Sequence, residues 1–231
     1  MVHIEVDHVG HRYGQGALAR QVLDGVSADL TESRIGVIGH NGSGKSTFVR
    51  MLNALLIPSQ GSVKVNGLDT ASEAKKVRRL AGFLFTDPDT QIIMPTVAED
   101  VAFGLRKSGL SKPEIAARVD ELLERFGLSG HREHPAHLLS GGQKQLLALA
   151  SVLITAPQLI IMDEPTTLLD LRNARMIGQV IGELSQTVVL ATHHLHLLDD
   201  FDRVLVFDSG RLVADGTPTE AIAHYRRLME I

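Results

Sequence analysis

Cysteine is missing altogether from this 231-residue chain, so no disulfide framework is available and nothing in it points to secretion. A long apolar run is missing too. The nearest one, residues 146–154, is interrupted by Ser151 and falls far short of the roughly 18–20 residues that cross a bilayer. A chain like this would serve a membrane by docking on it. No basic, apolar leader opens the sequence, which makes the cytoplasm the expected location. Positive charge is not in excess either. With 23 Lys and Arg against 27 Asp and Glu, the formal net charge of −4 offers no basic face to a phosphate backbone, and nucleic acid is not an expected partner. Internal repeats and low-complexity segments are absent as well.

What is present is enough apolar side chain, 44% of residues, to fill one large α/β domain or two small lobes. Val2, Ile4 and Val6 alternate with His3, Glu5 and Asp7, the period-2 pattern of a strand with one wet face, and residues 22–30 read as another strand. Residues 34–38 form a short apolar run ending in Gly39, followed by helical composition over 46–56 until Pro58. Strands are expected at 62–65 and 81–85, separated by a charged helical stretch over 71–79. Residues 112–126 read as an amphipathic helix with Pro113 in its first turn, where a missing N–H costs little. From Ser140 the pattern becomes helix, strand (159–162), helix (171–184), strand (188–191), which implies parallel βαβ units. Residues 204–207 and 211–214 flank Asp208-Ser209-Gly210 as a closing hairpin, with a terminal helix after it.

Three segments carry chemistry. The first is Gly39-His40-Asn41-Gly42-Ser43-Gly44-Lys45-Ser46, which fits G-x-x-x-x-G-K-[ST] between an expected strand and an expected helix. Glycines let backbone N–H groups turn inward around phosphate oxygens, and a helix N-terminus adds partial positive charge. Lys45 can then reach the outer phosphates of a nucleoside triphosphate, and Ser46 can ligate Mg²⁺.

The second is Asp163-Glu164-Pro165 at the end of the run 159–162, where parallel sheets place their ligand sites. Asp163 can hold Mg²⁺ directly or through water, and Glu164 can polarise a water for in-line attack on the γ-phosphate. A solvated turn at a strand end is the plainer alternative. The third is Leu139-Ser140-Gly141-Gly142-Gln143, a second anion-binding helix start ahead of residues 144–154. One nucleotide rarely needs two such cradles from one chain, so the economical geometry has this element meet a nucleotide held by another subunit. An ordinary serine N-cap would read the same way.

With these motifs in this order, the chain resembles ABC ATPase subunits from about residue 4 to 216. The resemblance implies an α/β P-loop NTPase core with an N-terminal antiparallel β lobe and a helical subdomain. Divided on that pattern, 1–87 hold the β lobe and phosphate loop, 88–155 the helical part and 156–231 the rest of the core, the lobe being built to about residue 30 and from the strands within 62–85. By resemblance, Gly39 to Thr47 is the Walker A segment, Leu139 to Gln143 the signature, Leu159 to Asp163 Walker B and Glu164 the catalytic glutamate. Tyr13 would stack on adenine, Asp170 would lie in the loop that communicates across a dimer, and His193 would be the switch histidine at the γ-phosphate.

Within the family, Asp87-Pro88-Asp89-Thr90-Gln91, followed by Pro95-Thr96-Val97-Ala98-Glu99-Asp100-Val101-Ala102-Phe103-Gly104, is similar to the energy-coupling-factor and cobalt-type importers. The similarity implies ATP as substrate with Mg²⁺, a second ATPase subunit, in the simplest case another copy of the chain, and a transmembrane scaffold subunit beside a substrate-binding membrane subunit. It implies a peripheral position on the cytoplasmic face of the membrane, and biotin, another vitamin or a transition-metal ion as cargo. Ile92, Ile93 and Met94 would face the membrane partner, the plainer alternative being three ordinary core residues.

The family's usual glutamine is replaced by Thr86, which keeps a hydroxyl but loses reach, so a water or Gln91 could take over that role. His131, His134 and His137 tempt a metal reading, yet Pro135 interrupts any shared helix face and no cysteine completes a set. His194 and His196, beside His193, could give pH sensitivity near neutrality but read by default as surface residues, and His40 fills a variable slot of its loop. A soluble ABC ATPase of DNA repair or translation is the rival reading. The chain has neither the long coiled-coil insertion of the first nor the fused second domain of the second.

Overall fold

The strand that opens on this alternation runs on to residue 13, although the alternation itself breaks at Asp7 and His8, where the register shifts. In the computed structural model, which describes residues 1–14 and 16–229, strand β1 (Ile4–Tyr13) pairs antiparallel with β2 (Arg20–Leu30). Two further strands, β4 (Gln60–Val65) and the short β5 (Leu68–Asp69), complete a four-stranded sheet ordered β2-β1-β4-β5. Its register sets Ile4 opposite both Leu30 and Val65, so the apolar positions of three strands stack on one face and all three are fully buried.

The second sheet is ordered β10-β9-β3-β8-β7-β6. Its centre is parallel: β3 (Arg34–Gly39) lies between β8 (Thr187–Ala191) and β9 (Arg203–Asp208), and β7 (Leu159–Asp163) runs beside β8. Every residue of β7 and β8 is buried, which is why these strands read as unbroken apolar runs rather than alternations. The hairpin to β10 (Arg211–Gly216) is antiparallel and turns through Ser209 and Gly210, both at positive φ. The strand expected at 81–85 is β6 (Ala81–Leu84), and it belongs to this six-stranded sheet rather than to the N-terminal lobe, because α2 (Ala74–Leu80) carries the chain away from β5 first.

Two helices are shorter than their composition suggests. Helix α1 (Lys45–Met51) stops early because Ala54 takes a left-handed conformation and the N–H groups of Leu55 and Leu56 both turn back to the Arg50 carbonyl. Helix α2 starts late because Asp69 accepts the N–H groups of Ala71 and Ser72, an Asx turn that competes with the first helical turn.

Contacts divide the chain into two units, residues 1–82, 158–164 and 184–231 in one, and 83–157 with 165–183 in the other. The first holds the four-stranded sheet, the six-stranded sheet except for the last two residues of β6, helices α1 and α2, and α7 (Pro218–Leu228). The second is helical: α3 (Val97–Phe103), α4 (Lys112–Arg125), α5 (Gly141–Leu153) and α6 (Leu171–Glu183). Helices α3, α4 and α5 each open on a capping box, Thr96 with Glu99, Ser111 with Glu114 and Ser140 with Gln143, so the chain marks its own helix starts. Val97, Val101, Val119, Leu123 and Leu147 make its core. No helix among the described residues is long and apolar enough to cross a membrane.

Candidate functional site

The loop between β3 and α1 can close only with glycine at set places. A Cβ on Gly39 would sit 2.2 Å from the Phe207 carbonyl oxygen, and one on Gly44 2.7 Å from Leu23, while both, with Gly42, take positive φ. Ser43 is fully buried behind the loop, its N–H bonded to the His40 carbonyl and its own carbonyl to the Gly210 N–H. The loop is thus pinned from below by the β9–β10 turn, and its upper face opens on a cavity of about 410 Å³. Tyr13, Asn41, Gly42, Gly44, Lys45, Ser46, Thr47 and Glu164 line that cavity.

Lys45 is buried, and its Nζ donates to the carbonyls of Gly39 at 2.7 Å and His40 at 3.1 Å. Burial pulls its pKa below the ordinary lysine value, and the charges of Glu164 and Asp163 oppose that shift. The Tyr13 hydroxyl lies 3.4 Å from Thr47 Oγ1, and its ring meets His11 edge-on, which fixes the aromatic at the cavity rim, half-exposed. Gly39, His40 and Ser43 support the loop from outside the lining. The His40 ring turns to the Asn41 carbonyl at 2.7 Å and to Asp208 at 3.1 Å.

The two carboxylates at the end of β7 have different surroundings. Asp163 is almost fully buried, and the Ser46 hydroxyl donates to its Oδ1 at 2.7 Å. Glu164 stands at φ 52°, a conformation that costs a side chain about 1–3 kcal/mol and is held here by its N–H bond to the Ala191 carbonyl. Its Oε2 meets His193 Nδ1 at 2.7 Å and the His193 N–H at 3.3 Å. The end of β7 therefore joins the end of β8, and the two residues assigned to catalysis are in contact. His194 packs on His193 with ring centroids 4.1 Å apart, and burial, then its neighbours His193 and His196, push its pKa below the ordinary histidine value, against the pull of Glu164.

Sequence reading missed three residues of this site. Arg20 and Val22 line the cavity, and Arg20 pairs across the ladder with Tyr13, a relation visible only once the register of β1 and β2 is known. Arg50 reaches Asp163 Oδ2 at 3.1 Å. Its spacing of four from Ser46 on one helix was the signal available.

The helical unit holds the other predicted residues. Ser140 caps α5: its Oγ accepts the Gln143 N–H at 3.3 Å, and the Gln143 side chain accepts the Ser140 N–H at 2.9 Å. The plainer reading of Ser140 is therefore present in the structure. Gly142 has a packing reason as well, since a Cβ there would lie 2.4 Å from Asn173 Oδ1, whereas Gly141 has room. Asp170 accepts the Asn173 N–H at 2.8 Å and its amide at 3.1 Å, so Asp170 positions the side chain that abuts Gly142.

Gln91 spends its amide locally: Oε1 accepts the Phe85 N–H at 3.2 Å and Nε2 donates to the Phe83 carbonyl at 3.3 Å, next to Thr86 in the chain. Ile92 and Met94 are half-buried and Ile93 is 60% exposed, so none of the three is core. The buried carboxylate of Asp100 shapes this bend, accepting the N–H groups of Ile93 and Met94 through Oδ1 and the Ser151 hydroxyl through Oδ2. His131 and His134 stack edge-on at 5.2 Å.

Comparison with known proteins gives the family. Residues 23–167 match the model of the family described as ABC transporter. A Deinococcus radiodurans protein provisionally named an ABC transporter ATP-binding protein is 54% identical over 226 residues, covering 98% of each chain. The biotin transport ATP-binding protein BioM of Rhizobium etli is 48% identical over 227 residues, covering 98% of this chain and 99% of its own. Among solved structures, CbiO1 of Clostridium perfringens, part of the ABC transporter complex CbiONQ, superposes with a TM-score of 0.84 at 31% identity over 98% of this chain and 93% of its own.

Proposed function

This chain belongs to the ABC transporter family and is an ATPase, and from that premise we propose that it energises an importer of the energy-coupling-factor type as one of a pair of ATP-binding subunits. The observation that carries the chemistry is the contact of Glu164 with His193 at the mouth of a strained-glycine phosphate loop.

In this reading the backbone N–H groups of Asn41 to Thr47 and the Lys45 ammonium take the β- and γ-phosphates, and Tyr13 carries the adenine ring. The Ser46 hydroxyl and the Asp163 carboxylate set two hard oxygen donors side by side, a donor set that suits Mg²⁺. That ion, bound there, supplies charge neutralisation at the phosphate oxygens. Glu164 accepts the proton of the attacking water. His193 orients Glu164, which lines the cavity, by holding one of its oxygens.

The second half of the site comes from the partner subunit in the same scheme. Ser140, Gly141, Gly142 and Gln143 present a helix start to the nucleotide of the other copy, and Asp170 holds their packing through Asn173. Three large apolar side chains in these segments, Leu138, Leu168 and Leu171, are each more than 60% exposed, which supports a covering surface. Closure of the pair on ATP and its release after hydrolysis give a two-state stroke.

In this scheme the stroke is passed to membrane subunits at the bend of Ile92, Ile93 and Met94, and the protein works peripherally on the cytoplasmic face. The name of the Rhizobium etli relative favours biotin as cargo, with another vitamin or a transition-metal ion as the wider group of the proposal. Affinity purification from the native membrane in detergent tests this. Membrane subunits are expected to come with the tagged chain and to be lost with Ile93→Glu. Recovery with ribosomes or DNA, or of no membrane protein at all, overturns it.

A further inference from the structure

Helix α1 turns two side chains toward one carboxylate. Ser46 and Arg50, four residues apart, stand one turn apart on the same face, and they hold opposite oxygens of Asp163: Ser46 Oγ is 2.7 Å from Oδ1 and Arg50 Nη2 is 3.1 Å from Oδ2. The Asp163 side chain is 1% exposed and that of Arg50 is 42% exposed, so the cation enters from the solvent side to reach a buried anion. A buried charge is unfavourable unless paired, and a guanidinium N–H on one oxygen with a hydroxyl on the other ties down both ends of the carboxylate.

A second observation separates this pair from an ordinary surface arginine. Arg50 Nε is buried and has no hydrogen-bond partner. An arginine placed only to stabilise the end of α1 would keep that donor in water or on a carbonyl, since leaving it unpaired is unfavourable. Its pose follows Asp163 at the expense of its own hydrogen bonding.

We infer that Arg50 is a positioning residue of the ATPase reaction, clamping Asp163 by Oδ2 so that Oδ1 stays beside the Ser46 hydroxyl as a fixed pair of oxygens for the metal that accompanies the nucleotide. The inference rests on the reading of Ser46 and Asp163 as the Mg²⁺ donors. Without Arg50, Oδ2 loses the cation that holds it while Ser46 still holds Oδ1, and the paired geometry is populated for a smaller share of the time.

The test is equilibrium binding of a fluorescent ATP analogue to the purified full-length protein, titrated with Mg²⁺, for Arg50→Met, Arg50→Lys and Asp163→Asn. For Arg50→Met, affinity in EDTA is expected to stay within about twofold, while the Mg²⁺ concentration giving half of the metal-dependent gain rises by about tenfold, the scale on which outer partners of metal ligands act. Arg50→Lys, which keeps the charge but not the planar fork, should recover part of the shift. It carries the test alone should the Met variant not fold, with a smaller shift expected.

A purely structural Arg50 would lower the melting temperature and leave the Mg²⁺ titration where it was, and that result overturns the inference. The parallel variant separates the two claims. A shift in Asp163→Asn with none in either Arg50 variant removes only the role of Arg50, whereas no shift in Asp163→Asn removes the reading of the metal donors and the inference with it.

Discussion

His193 places two donors on one oxygen of Glu164, its ring Nδ1 at 2.7 Å and its backbone N–H at 3.3 Å from Oε2. An ionised carboxylate can only accept, so Nδ1 carries the hydrogen and the ring is held in a defined orientation. Glu164→Gln is expected to bind ATP within a few-fold of the parent and to hydrolyse it roughly 10²–10⁴ times more slowly, as for loss of a general base. His193→Ala, which leaves the carboxylate in place but unaligned, should cost roughly 10²-fold. Single-turnover hydrolysis checks both, and a His193→Ala rate near the parent value would remove the orienting role.

The glycines of the phosphate loop should not respond alike. Gly39→Ala forces a methyl to 2.2 Å from a backbone carbonyl and is expected to abolish nucleotide binding with a loss of stability above about 3 kcal/mol, by strain and displacement of the β9–β10 turn. Gly42→Ala meets only open space, so its cost is the left-handed conformation alone, about 1–2 kcal/mol. Denaturant unfolding of the two variants measures the difference, and equal losses would contradict the packing argument.

Much of this site is legible in the sequence, because its parts are local. A glycine loop between an apolar strand and a helix, or two acids ending a buried strand, is a contiguous pattern whose physics is carried by neighbours in sequence. The chain also folds as the resembled family does, with its antiparallel and mostly parallel sheets. What stayed hidden was non-local. Arg20 reaches the cavity only through the pairing of β1 with β2, and Gly142 owes its identity to Asn173, thirty-one positions away. The premature end of α1 at Met51 also escaped, since nothing in the composition of 46–56 signals that Ala54 turns left-handed. β6 was assigned to the wrong sheet because strand pairing is not written in either strand alone.

Gly142→Ala tests the link between Asp170 and the signature. The added methyl displaces Asn173 and with it the two bonds that Asp170 accepts. ATP binding to the single chain should be retained, and the ATP-dependent association of copies weakened by about tenfold or more, equivalent to about 1.4 kcal/mol. Sedimentation in the Glu164→Gln background reads this, and unaltered association would show that the contact is packing only.

Acid should loosen the fold at His194. Its pKa is lowered by burial first and then by His193 and His196, so below the unfolded value of 6.5 the unfolded chain binds the proton more readily than the folded one. Stability from this group is present above about pH 6.5 and is lost as pH falls through the window beneath it. Melting temperatures from about pH 7.5 to 5.5 should fall less steeply in His194→Gln than in the parent. A steeper or identical slope would contradict the assignment.

The whole account stands on the cradle formed by Gly39 to Thr47, and calorimetric titration of ATP with Mg²⁺ into the Glu164→Gln protein reaches it most directly. One nucleotide per chain is expected, with binding lost in Lys45→Ala and weakened when Mg²⁺ is withdrawn. Absence of binding in the presence of Mg²⁺, or binding that Lys45→Ala leaves intact, would contradict it.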